Sequence, residues 1–103
     1  MIYKSIIGKQ IELTEERKKH ILIRHPDVAV HFSKTSKVLL DPDEIRIDKE
    51  DKNVLLFYKH FSKIGSGKYL VVVVKVNNRN FLLTIYSTHR IKTGEKYDRE
   101  KST

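Results

Sequence analysis

Cysteine and tryptophan are absent from this chain, methionine occurs once, and proline and glycine are scarce, at two and four of 103 residues. Without cysteine there is no disulfide partner and no thiolate metal site, and nothing points to an oxidising compartment. Few breakers and no repeat or low-complexity stretch argue against a linker-like or disordered chain. The longest apolar run, Leu70 to Val74, falls far short of the roughly 20 residues a membrane helix needs. Met1-Ile2-Tyr3-Lys4 lacks the basic-then-apolar order of a secretory signal. The expectation is a soluble, cytoplasmic protein with no membrane partner.

Acidic residues are also in deficit. Lys and Arg number 21 against 13 Asp and Glu, a net charge of +8 and a pI near 9.7. Such an excess favours polyanions, because phosphate contacts release condensed counterions and attract the ligand from a distance. A chain of this length makes one domain with one core. The expected partner is therefore nucleic acid, bound by a single domain spanning residues 1–103.

Residues 1–13 read as an extended arm around Gly8. Thr14 caps a helix over Glu15 to Arg24, with Glu15 and Glu16 in its first turn, where the helix dipole favours anions. Pro26 disfavours helical geometry at His25, so the helix breaks there. A second helix is expected over about Asp27 to Leu40, ended by Asp41-Pro42-Asp43. Four strands follow, Glu44 to Asp48, Val54 to Phe61, Tyr69 to Val76 and Phe81 to Thr88, joined by turn-forming residues. Short connections force antiparallel neighbours, so the fold class is α+β, with N-terminal helices packed on one face of a four-stranded antiparallel meander sheet. Residues 91–103 form a polar tail.

Alternation assigns the faces. In the third strand Leu70, Val72, Val74 and Val76 oppose Tyr69, Val71, Val73 and Lys75. In the fourth, Phe81, Leu83 and Ile85 oppose Leu82, Thr84, Tyr86, Thr88 and Arg90. Two-residue turns at Asp51-Lys52 and Asn78-Arg79 would set Phe57 against Arg46, Lys59 against Glu44, Lys75 against Leu82 and Val73 against Thr84. The core face then holds Ile45, Ile47, Leu56, Tyr58, Val72, Val74, Leu83 and Ile85. The other face collects Arg46, Phe57, Lys59, Tyr69, Thr84, Tyr86 and Thr88, hydroxyls and cations without a carboxylate, which suits phosphate.

His20 and Arg24 share a helical stripe with Arg17, and His25 follows at the break. Imidazole exchanges protons near neutrality, and a nearby cation can hold the phosphate on which it acts. The bland alternatives are a solvated basic stripe and an ordinary strand face. Histidines five and six apart do not match helical metal-ligand spacing, so no metal and no cofactor is expected. Ile64-Gly65-Ser66-Gly67-Lys68 lacks the phosphate-loop pattern, and a hairpin loop is the better account.

In order along the chain, His20, Arg24-His25-Pro26, Leu40-Asp41-Pro42-Asp43, Phe57-Tyr58-Lys59, Val71 to Val74, Thr84-Ile85-Tyr86 and Lys92-Thr93-Gly94-Glu95 resemble the phage-associated branch of the barnase, EndoU, colicin and RelE-like nuclease superfamily. The resemblance covers about Thr14 to Glu95. It implies a metal-independent endoribonuclease, a toxin or mobile-element effector held in check by an antitoxin or immunity protein. It maps catalysis to His20 or His25 with Arg46 and Lys59, and substrate binding to Arg24, Tyr69, Thr84, Tyr86 and Thr88. A non-catalytic RNA-binding module and a phage-derived protein-interaction domain are the alternatives.

Overall fold

A computed structural model describes residues 1–65, 67–91 and 95–97. Thr14 caps α1 (Glu15–Arg24) as its composition dictates, its hydroxyl accepting from the Arg17 N–H at 3.1 Å. His25 ends the helix with φ −128° and ψ 70°, its N–H still donating to the Ile21 carbonyl at 2.8 Å. The expected second helix is in fact a 3₁₀ segment, Pro26–Lys34, followed by the short helix α2 (Thr35–Leu40). Val28, Val30 and Ser33 are weak α-helix formers; Val28 is the buried residue of the segment, and Phe32 packs against the core beside it.

The strands are β1 (Ile2–Lys4), β2 (Gln10–Glu12), β3 (Glu44–Ile47), β4 (Val54–Phe61), β5 (Lys68–Val76), β6 (Asn80–Thr88) and β7 (Glu95–Lys96). The antiparallel meander β3 to β6 is present, but it is the centre of a seven-stranded mixed sheet ordered β1-β2-β6-β5-β4-β3-β7. The N-terminal arm is a hairpin turned at Gly8, whose φ of 80° suits glycine, and β2 joins β6 in parallel through Glu12 and Phe81. β7 takes two residues of the expected tail onto the outer edge of β3; 92–94 and 98–103 lie outside the described residues.

Two loops decide which side chains share a face. The first runs from Asp48 to Val54: the Asp48 carboxylate accepts from the Glu50 and Asp51 N–H groups at 3.0 and 3.1 Å, and the Asp51 carboxylate from that of Asn53 at 2.9 Å. This longer, carboxylate-organised loop replaces the expected two-residue turn, so Arg46 faces Leu56 and Glu44 faces Tyr58. The parity of β4 is thereby inverted. Phe57 and Lys59 turn to the helix side, while Leu56 and Tyr58 turn away from it.

The second is the β5–β6 turn. It has three residues, pairing Val76 with Asn80 and Lys75 with Phe81, and a bulge between Val73 and Val74 then restores Val73 to Thr84. Leu83 is the extra residue. Leu82, 1 % exposed, takes the core place expected for Leu83, while Val71 opposite Tyr86 and Tyr69 opposite Thr88 stand as expected.

The main core lies between this sheet face and the helices: Phe57, Leu70, Val72, Val74, Leu82 and Ile85 meet Ile21, Val28, Val38 and Leu39. β2 pairs with β6 at Glu12 alone, and α1 packs against β6 beyond it. Among the described residues no helix is long and apolar enough to cross a membrane.

Candidate active site

The face away from the main core carries its side chains in rows across the strands, set by register. His60, Tyr69 and Thr88 make one row. Glu44, Tyr58, Val71 and Tyr86 make the next, and Arg46, Leu56, Val73 and Thr84 the third. Val54, Tyr58, Val71 and Val73 are buried here as a second, smaller cluster, with Ile91 packed on it. Tyr69 bridges the first two rows edge-on, its ring centroid 5.2 Å from His60 and 6.2 Å from Tyr58.

Over the second row lies a groove of about 690 Å³. Tyr58, Leu56 and Tyr86 line it, with Asp48, Lys49 and Glu50 from the β3–β4 loop and Arg90 from beyond β6, so the loop and Glu44 bring carboxylates to a face expected to have none. Burial pushes the Tyr86 phenol up to about 12, helped by the Tyr58 hydroxyl, to which it is hydrogen-bonded, and by the Asp48 charge. A phenol so held stays neutral at physiological pH.

His25, at the C-terminal end of α1, lies beside this row. Its ring centroid lies 6.2 Å from that of Tyr86. Local chemistry fixes it there: Pro26 excludes helical geometry at His25, and the Val28 N–H donates to the His25 carbonyl at 2.9 Å. The Ser87 hydroxyl donates to the Asp27 carboxylate at 2.9 Å, tying the corner that follows His25 to the strand residue next to Tyr86.

No family model, curated protein or solved structure matches this chain. The site must therefore be read from its own chemistry.

Of the residues singled out in the sequence, the structure brings Tyr69, Thr84, Tyr86, Thr88 and Arg46 to one sheet face, with His25 beside Tyr86. Arg46 is engaged there by Glu44 at 2.9 Å, and Lys96 of β7 lies 3.8 Å from the same carboxylate. Lys59 is not at this face. With its parity inverted it lies 3.3 Å from Asp41 and 3.8 Å from Asp43, at the end of α2. His20 and Arg24 border a separate groove between α1 and β6, where they meet Thr84. His20 points along its own helix, 3.9 Å from Glu16.

Tyr58, Asp48 and Arg90 were not singled out. Arg90 shares the alternation of Tyr86 and Thr88, and that parity was a usable signal. Tyr58 depended on the β4 register, which the β3–β4 loop sets. Among the described residues no group of three or more His, Asp or Glu side chains converges as a metal site.

Proposed function

We propose that this protein is an endoribonuclease that cleaves RNA by attack of the 2′-hydroxyl on the adjacent phosphorus, using protonic groups and no metal, as the resemblance to the barnase, EndoU, colicin and RelE-like superfamily implies. One observation carries the reading: His25 stands 6.2 Å, ring to ring, from Tyr86, which with Arg90 lines the groove. His25 takes the 2′-hydroxyl proton, the 2′-oxygen bonds to phosphorus, and the bond from phosphorus to the 5′-oxygen breaks. The Tyr86 phenol hydrogen-bonds the departing oxygen and supplies its proton, which the imidazolium then restores. Arg90 and Lys49 offset the charge growing on the phosphoryl oxygens. The products are a 2′,3′-cyclic phosphate and a free 5′-hydroxyl.

Basic charge supports an RNA substrate, and Tyr69 with His60 offers ring faces at the neighbouring row for an unstacked base. End-group analysis of RNA incubated with the protein in excess chelator tests the mechanism. Cyclic or 3′-phosphate ends from RNA and none from DNA are expected. Chelator-sensitive cleavage, or cleavage of DNA, overturns it, and binding without cleavage of any RNA points to a binding module. A regulatory protein partner belongs to the same proposal, since toxins of this superfamily are held by one.

A further inference from the structure

The groove between α1 and β6 is distinct from the one under Tyr86, and nothing in the cleavage chemistry uses it. It encloses about 430 Å³. Arg17, His20, Ile21 and Arg24 border it from α1, at a spacing that places them on one helical stripe. Leu83 and Thr84 border it from β6, and the bulge that makes Leu83 an extra residue brings both into the lining.

Its charge is unbalanced. Among the described residues neither the Arg17 nor the Arg24 guanidinium has a carboxylate partner, and Glu16, beside His20, is the acidic side chain in the lining. Two guanidiniums against one carboxylate leave a net positive charge. Past Thr14 and Arg17 the depression continues to Lys75 and Phe81, and the acid there, Glu12, is already held by Arg79 at 3.0 Å. Among the described residues lining the α1 groove itself His20 is the one aromatic ring, so charge and hydroxyl dominate it.

β6 links the two grooves. Thr84 lines this one and Tyr86 the other; they share a sheet face two residues apart, about 6.8 Å along the strand. That is comparable to the step between neighbouring phosphates of an extended single strand.

Resting on the endoribonuclease reading, we propose that the α1–β6 groove is a second phosphate subsite, in which Arg17 and Arg24 bind the backbone of single-stranded RNA next to the phosphate that is cut. His20 is then a binding-groove residue and His25 the proton-transfer residue. Recognition there is of phosphate and is independent of base identity. The subsite rewards substrates longer than a dinucleotide.

The test measures anisotropy of a labelled 2′-O-methyl hexauridylate, which cannot be cleaved through its 2′-oxygen, across a salt series. Removing two phosphate contacts should lower the slope of log K against log salt by about 1.4, at roughly 0.7 per contact for a single strand. Arg17→Ala/Arg24→Ala should show that loss, while Arg17→Lys/Arg24→Lys retains the slope and Lys63→Ala, an exposed cation in the β4–β5 loop, leaves it unchanged. In cleavage, the double alanine variant should lose the gain in kcat/KM that longer RNA brings over a dinucleotide. An unchanged slope, or an equal loss in Lys63→Ala, overturns the subsite even if cleavage is confirmed. A lowered slope without cleavage of any RNA upholds the subsite and overturns the catalytic reading instead.

Discussion

The Lys59 ammonium lies 3.3 Å from the Asp41 carboxylate, across 18 residues of sequence, on the sheet face opposite the Tyr58–Tyr86 row. Asp43 accepts from the His60 N–H at 2.6 Å and stands 3.8 Å from the same ammonium. A cation expected beside the phosphate instead fastens the end of α2 to β4. Lys59→Met should cost about 1 kcal/mol, the upper range for such a partly exposed pair, read from the urea midpoint. It should leave the salt dependence of RNA binding unchanged. A slope reduced by one contact would place Lys59 at the substrate.

The β4 register separates two neighbours. Phe57 is fully buried against the helices, and Leu56 is half-buried at the other face. Phe57→Ala should destabilise by roughly 3–5 kcal/mol and Leu56→Ala by much less, with unchanged urea m values. The reverse order would restore the alternative parity.

On the proposed cleavage mechanism, proton transfer falls to His25 rather than His20. His25→Ala should lower the cleavage rate by about 100- to 10,000-fold with binding nearly intact. His20→Ala should mainly weaken binding. Single-turnover rates and oligonucleotide affinity measured on both variants check the assignment, and an inactive His20→Ala that binds RNA normally would reverse it.

Tyr86 gives alkaline stability a sign. Its phenol ordinarily ionises near 10 and here near 12. The folded state thus prefers the neutral form, contributing stability that is complete below pH 10 and is lost as pH rises toward 12. Tyr86→Phe should flatten stability over that window relative to the wild type. Parallel curves from urea titrations at successive pH values would remove the assigned cause.

Asp51 acts at the other end of the scale. The Asn53 N–H and then the Lys75 ammonium, 3.0 Å away, hold its carboxyl below the usual 3.8. The stability it contributes is present above that value and lost as pH falls through the lower folded value. Asp51→Asn should weaken the acid dependence of unfolding, and an unaltered acid limb would contradict this.

Periodicity and capping are local properties, and they determined much of this protein from the sequence alone. Thr14, the pair His25-Pro26 and the alternation around Val71 to Val74 sufficed for α1, its break and the central strands. They also sufficed to place Tyr69, Tyr86 and Thr88 on one face. Register is not local. A hydrogen-bonded loop around Asp48 and Asp51 moved β4 by one residue, exchanging Lys59 for Tyr58 at the site. At the β5–β6 hairpin a longer turn and the Leu83 bulge cancelled, so Tyr86 stayed where simple alternation put it while Leu82 and Leu83 traded places. Because strand side chains repeat every two residues, one residue of slip reverses a face. Only the tertiary structure decided that His25 reaches Tyr86, through a helix break and the Asp27–Ser87 contact spanning 60 residues, and that His20 belongs to a different groove.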